Sequence, residues 1–275
     1  MKQTKDVPRG RLFRFGSLLY LGCILVVSSA LAGPPPSCHG ENFDGRVRIK
    51  YVIDGDTVIT TEGEHIRLIG IDTPEIDHEG AASEPGAEKA RNYLIQLLRH
   101  PGTAYPLIYG REKHDRHGRT LAHLFLPGGG NIQALILSRG YATPLTIPPN
   151  LRYHDCYRES TEQAYRQRQG LWSLAQYQPI DAADLTGKER GYHLIEGTVT
   201  RVGKSRSSIW INLGREFAAR IVRKDLDYFP ALDADDLIGN RIRVRGKIYR
   251  TNSQLRIYLH HGSDIRILPN KVGTR

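Results

Sequence analysis

Cysteine is scarce in this chain, 3 in 275 residues, and no CxxC pair or Cys/His cluster occurs, which removes a structural zinc module and a dithiol redox site from consideration. There is no short-period repeat and no low-complexity tract, so neither a solenoid nor a disordered array fits. The apolar stretch from Leu18 to Val27 falls short of the ~20 residues that cross a bilayer. What is present is an ordinary globular composition, 39% hydrophobic with aromatics that are mostly Tyr, long enough for one large domain or two modest ones.

The N-terminus is set apart. Lys2, Lys5, Arg9, Arg11 and Arg14 precede the apolar stretch, which ends at Ala30-Leu31-Ala32, a signal-peptidase pattern. Tyr20-Leu21-Gly22-Cys23 is a poorer match to a lipoprotein box. Residues 1–32 are therefore expected to be a signal peptide that exports the chain to a periplasm or out of the cell. The mature chain would begin near Gly33 with no membrane span. Cleavage removes Cys23 and leaves Cys38 and Cys156, expected as a disulfide in an oxidising compartment, with two buried thiols as the alternative.

The formal charge of +10 is unevenly spread. Residues 33–190 carry 18 basic and 20 acidic side chains, whereas residues 191–275 carry 16 basic and 8 acidic ones. A basic C-terminal third suits a polyanion such as nucleic acid, or is merely a solvated face.

The pattern along the chain gives the organisation. "RVRIKYVI", with Val47, Ile49 and Tyr51 alternating with charge, then "TVITT" and "HIRLIGI", reads as a three-strand meander. "EPGAEKARNYLIQLLRH" has helical spacing, and "AYPLIY" and "LAHLFL" read as strands around the polar loop "GREKHDRHGR". A short helix over "NIQALILSRG" and a charged one from Tyr153 to Trp172 close the unit. Three strands, a helix and two strands spell a mainly β, α+β chain whose first module is an OB-like five-stranded barrel over 33–175. Residues 176–190 read as a linker. From 191 the same order recurs, with a weak helical stretch around "YFPALDADDLIG", which predicts a second, basic OB-like barrel over 191–275 with nucleic acid as its expected ligand.

Four clusters could carry chemistry. "DGDT" (Asp54 to Thr57) is by itself a hairpin signal. Arg67, Asp72, Thr73 and Glu75 end an apolar strand where a Thr-Pro turn would otherwise do. "HDRHGR" ends in Arg119 and lacks zinc-ligand spacing. Arg241, Arg243 and Arg245 share one face of a strand among the basic residues of the last module, with Arg220 and Lys247 nearby in composition. Taken together, aspartates from neighbouring strands suit a hard cation, a further carboxylate can activate water, and two arginines can clamp a phosphate.

"VIDGDTV", "IRLIGIDTPE" and "DRHGRTLAHL", in that order and followed by a helix ending in "GLW", resemble the staphylococcal nuclease (thermonuclease) family over Val47 to Trp172. The resemblance implies a calcium-dependent nuclease that cuts DNA and RNA and leaves 3′-phosphates. Asp56 and Asp72 would ligate Ca2+ by carboxylate and Thr73 by its backbone carbonyl, with Asp54 behind them. Glu75 would be the general base, and Arg67 and Arg119 would hold the scissile phosphate. The chain departs from the family where a nucleotide-binding tyrosine becomes His117, and where Leu145 and Ile147 of "ATPLTIPPN" replace a tyrosine-rich stretch. A rival reading, a non-catalytic nucleic-acid-binding protein on a decayed nuclease fold, predicts loss of these charged groups, yet all are present. Trp210, Tyr249 and Tyr258 are candidate base platforms on the second module, but each is expected rather as core or edge filler and none is taken as a site residue. No protein partner is indicated, and a monomer is expected.

Overall fold

A computed structural model describes residues 38–269, apart from 78–79, 81, 101, 231 and 252–253. The expected signal peptide therefore lies outside the described residues. The opening alternating segment forms two strands, β1 (Gly45–Val47), which pairs with Tyr105–Leu107, and β2 (Ile49–Val52), which pairs with Val58–Thr60, and within β2 the register slips between Ile49 and Tyr51. The extra residue of such a bulge reverses the inward phase. Val52 is consequently buried, whereas Tyr51, expected on the inner face, is exposed beneath the Arg91 guanidinium.

β3 (Thr57–Thr60) and β4 (His65–Leu68) complete the meander, and β5 (Ile71–Asp72) follows at once. Helix α1 (Ala87–Leu97) buries Ala87, Ala90 and Leu94, residues three and four apart that lie on one face. β6 (Tyr105–His114) runs five residues beyond the expected "AYPLIY", so the loop before β7 (Thr120–Leu124) shrinks to Asp115–Arg119. The sheet order is β1-β6-β7-β4-β3-β2, with β4 and β7 parallel. Only Arg48 separates β1 from β2, yet they lie at opposite ends of that order, so one bent strand closes the sheet into a barrel. Ile66, Leu68, Ile71, Leu94, Leu107, Leu124, Ile132 and Ile136 fill it. Each such side chain stabilises by roughly 1.5–3 kcal/mol.

Outside the barrel, α2 (Ile132–Ser138) starts at Asn131, whose side chain accepts from the Ala134 amide. β8 (Thr143–Pro144) pairs with β5. α3 (His154–Arg166) packs on α2, and a separate 3-10 turn at Gly170–Ser173 replaces the expected continuation of that helix to Trp172. Cys38 and Cys156 form a disulfide, with Cα atoms 5.9 Å apart, that ties the start of the described chain to α3.

The second sheet repeats the plan. β9 (Ile180–Asp181) lies inside the expected linker and pairs in parallel with β10 (Gly191–Thr198). β11 (Arg201–Lys204), β12 (Ser208–Asn212), β13 (Phe217–Val222), β14 (Arg241–Thr251), β15 (Gln254–Leu259) and β16 (Ile265–Ile267) follow. The path β11-β12-β13-β15-β14-β10, with β13 and β15 parallel, has the connectivity of β2-β3-β4-β7-β6-β1. The chain is thus two OB-like barrels of one topology. Among the described residues between β13 and β14 the expected helix is absent. Short 3-10 turns at Arg223–Tyr228 and Asp235–Leu237 stand there, since Pro230 and five acidic residues interrupt any apolar face.

The two barrels share a packed seam. Trp172, Tyr177, Tyr192, Leu194, Leu171 and Ala164 form one buried cluster, with Trp172 edge-on to both tyrosines.

Candidate active site

Asp54 and Asp56 are held by the turn from β2 to β3, where the Asp56 amide donates to Asp54 Oδ1 at 2.9 Å. Gly55 between them admits no side chain. A Cβ there would lie 2.6 Å from Thr73 Cγ2 and 2.7 Å from Ala90 Cβ, so glycine lets this turn touch the end of β5 and α1. That contact unites segments 17 residues apart. The Thr73 amide and hydroxyl donate to Asp56 Oδ2 at 2.8 and 3.0 Å, while Thr57 Oγ1 donates to Asp56 Oδ1.

Arg67, on β4, is anchored from both sides. Its Nη1 donates to the carbonyls of Leu68 and Ile71, and its Nη2 lies 3.1 Å from both Asp56 Oδ2 and Asp72 Oδ1. The guanidinium thereby fixes the spacing of two carboxylates that are only 4% and 7% exposed. Burial raises the Asp72 carboxyl above its ordinary range despite Lys247 and Arg67 beside it. Burial, and then the charge of Asp56, lift Asp54 to about 7. Glu75 stands at the rim on the turn after β5, its side chain 65% exposed. Partial desolvation raises its carboxyl, with Lys247 pulling it down and Asp56 and Asp72 pushing it up.

Arg119 reaches the same cleft from the β6–β7 loop. Asp115 organises that loop, accepting from the amides of His117 and Arg119 and from Arg119 Nε at 2.7 Å. Burial opposes ionisation of Asp115, but these donors outweigh it and keep its carboxyl below the usual value. The structure therefore gathers Asp54, Asp56, Arg67, Asp72, Glu75 and Arg119 around one cleft of about 940 Å³, with Thr73 buried behind it. His117, Leu145 and Ile147 line the same cleft.

One cation at this site was read from sequence only as part of the basic face of the second module. Lys247 of β14, in the second barrel, puts Nζ 2.9 Å from Asp72 Oδ2 and 3.8 Å from Glu75 Oε1. Burial disfavours its charge, but Asp72 and Glu75 more than compensate and raise its pKa. The only local signal is its place on the outward face of β14, in register with Arg245 and Tyr249. Nothing nearby in sequence says that this face meets β5. The arginines singled out on that strand have other work. Arg241 bridges Asp181 and Glu196, Arg243 pairs with Glu196, and Arg245 faces Asp264 at 3.5 Å.

Four carboxylates, Asp54, Asp56, Asp72 and Glu75, thus surround two cations, Arg67 and Lys247. This excess of crowded negative charge, built from hard oxygen donors, fits a divalent cation of the calcium type. Among the described residues no three Asp, Glu, His or Cys side chains converge as a metal cage, so such an ion would need backbone and water oxygens besides carboxylates. Chemically, the corner can hold a phosphodiester between arginines and present a carboxylate to a water beside it.

Comparison with known proteins bears on the same stretch. The family model described as "Staphylococcal nuclease homologue" matches residues 65–174. Thermonuclease of Staphylococcus intermedius is 32% identical over 164 residues, 56% of this chain and 94% of that protein. Thermonuclease of Staphylococcus hyicus is 27% identical over 165 residues, 58% of this chain and 96% of that protein. Endonuclease YhcR of Bacillus subtilis is 30% identical over 153 residues, 50% of this chain but 12% of its own length. With the S. intermedius protein matched along nearly its whole length, and Arg67, Asp72, Glu75 and Arg119 within the residues the family model matches, this chain belongs to the staphylococcal nuclease family and is a phosphodiester-hydrolysing nuclease.

Proposed function

We propose that the chain is an exported, calcium-dependent endonuclease that hydrolyses DNA, RNA or both with little sequence preference and leaves 3′-phosphate ends. The observation that carries this reading is the Arg67 guanidinium set 3.1 Å from both Asp56 and Asp72 in a cleft that also holds Glu75 and Arg119. Asp56, Asp72 and the Thr73 carbonyl would hold Ca2+, which when bound polarises the phosphodiester and offsets the charge that builds on it. Arg119, with 34% of its side chain exposed, contacts the phosphate, and Arg67, itself nearly buried, contributes positive charge from beneath. Glu75, exposed at the rim with an elevated pKa, takes a proton from the attacking water. The new P–O bond forms as the bond to the 5′-oxygen breaks, and that oxygen leaves as a hydroxyl after gaining a proton. The leader expected over residues 1–32 supports export, as does the Cys38–Cys156 disulfide, a bond typical of oxidising compartments.

The test is digestion of single-stranded DNA, duplex DNA and RNA by the chain from residue 33 onward. Cleavage should require calcium, stop in EGTA and yield 3′-phosphates. Glu75→Gln and Arg119→Ala should each slow it by roughly a hundredfold or more, the scale of losing a general base or a transition-state donor. Cleavage at the parental rate by either variant, or undiminished in EGTA, would refute the mechanism.

A further inference from the structure

We infer that the outer face of the second barrel is a track for an unpaired nucleic-acid strand, with Trp210 and Tyr258 as base platforms and Arg220 and Arg256 as phosphate contacts, leading to the carboxylate corner. The inference rests on the nuclease reading above and adds a substrate class to it. β12, β13 and β15 lie side by side, and their register sets Trp210 beside Arg220 and Arg220 beside Tyr258. Their side chains stack in that order. Arg220 Cζ is 4.9 Å from the Trp210 ring centre and 5.0 Å from that of Tyr258. Arg256 Cζ lies 4.5 Å from the Trp210 ring, and Tyr249 extends the row, parallel to Tyr258 at 4.5 Å. All five side chains are only part-buried, and they stand opposite the barrel core.

Three features set this row apart from edge filling. First, its charge is not neutralised. Arg241, Arg243 and Arg245 each face a carboxylate, but Arg220 bonds Ser208 Oγ and the Tyr258 hydroxyl, and Arg256 bonds the Gln254 amide oxygen. Among the described residues neither Arg220 nor Arg256 pairs with Asp or Glu. Second, those bonds hold the guanidinium groups within about 5 Å of the ring centres, so cation and π-surface alternate along the row. That repeat matches a strand's phosphates and bases. Third, the row opens into the cleft. Tyr258 and its neighbour His260 line it together with Lys247, Asp72 and Glu75. A strand laid over Trp210 and Tyr258 therefore continues toward Arg67 and Arg119. Bases in a duplex are already stacked and paired, so this surface selects single strands.

The experiment uses the full mature chain in EGTA, which prevents cleavage. The chain has two tryptophans, and Trp172 is buried at 2% exposure, so quenching of emission reports Trp210. An oligothymidylate of about twelve nucleotides, within the roughly 4–16 nucleotide footprint of an OB barrel, should quench it. An abasic deoxyribose-phosphate oligomer and a blunt duplex of equal length should not. By anisotropy of a labelled oligothymidylate, Trp210→Ala and Tyr258→Ala should each weaken binding by roughly 5- to 150-fold. Arg256→Gln should make the dependence on salt shallower by about one phosphate contact. The quench needs no variant, so a misfolded Trp210→Ala would not spare the idea. Equal quenching by the abasic oligomer or the duplex overturns the track, as does parental affinity in the aromatic variants. Hydrolysis of bis(p-nitrophenyl) phosphate, a phosphodiester without bases, separates the two readings. If it proceeds with calcium while the track tests fail, the track alone is wrong. If the chain hydrolyses neither it nor oligonucleotides, the nuclease reading falls first.

Discussion

Replacing Lys247 with methionine should tighten calcium binding. The ammonium lies 2.9 Å from Asp72 Oδ2, so a cation that engages this carboxylate must first displace it. A hydrogen bond to a charged group contributes roughly 1.5–3 kcal/mol when sheltered. Here the carboxylate is buried, but the lysine side chain is 49% exposed and solvent-screened, which brings the figure to about 1 kcal/mol. Methionine keeps the length and apolar stem without the charge, so the dissociation constant for calcium should fall about fivefold, and Lys247→Arg should leave it near the parental value. Isothermal titration calorimetry on the chain without nucleic acid reads this directly. An unchanged or weaker affinity in the methionine variant would refute the idea that the second barrel supplies a competing cation.

Two further outcomes concern the scaffold. His123 is 1% exposed, and burial, assisted by Arg152, lowers its pKa to about 3, so the unfolded imidazole takes a proton near 6.5 while the folded one refuses it. Its contribution is complete above pH 6.5 and declines as pH falls toward 3, by up to about 5 kcal/mol. Chemical denaturation across that range should show a flatter curve for His123→Gln, and an unaltered slope would refute the assignment. Reducing the Cys38–Cys156 bridge, which spans 118 residues, should cost about 2–4 kcal/mol, read as a lower denaturant midpoint in dithiothreitol and matched by Cys156→Ser. Midpoints that coincide with and without reductant would contradict it.

Much of the candidate corner was legible because its residues sit in short local motifs whose order along the chain is informative. Asp56 precedes one strand, Asp72 ends another and Glu75 follows it, and the alternation of Ile66 and Leu68 already says which way β4 points. The barrel topology was legible as an element count, repeated almost unchanged from residue 191. The bulge at Ile49–Tyr51 was not, since it depends on how β2 pairs with β3 rather than on the residues of β2 alone. The meeting of Lys247 with Asp72 was invisible for a related reason. The lysine lies 175 residues from Asp72, and only the packing of one barrel against the other brings them together. Charge counts misled in the same region. Arg241 and Arg243 look like ligands for a polyanion in sequence, but Asp181 and Glu196 occupy them, while Arg220 and Arg256 face no carboxylate among the described residues.

The seam around Trp172 carries a consequence for substrate choice. An enzyme with hinged halves can admit a wide polymer and close on it. Here Trp172 and Leu171 from one barrel interdigitate with Tyr192 and Leu194 from the other, and separating them would expose a dry aromatic core. The width of the gap between the barrels, which Glu75 and Lys247 both border, is therefore set by how these aromatic side chains pack rather than by any residue of the cleft itself.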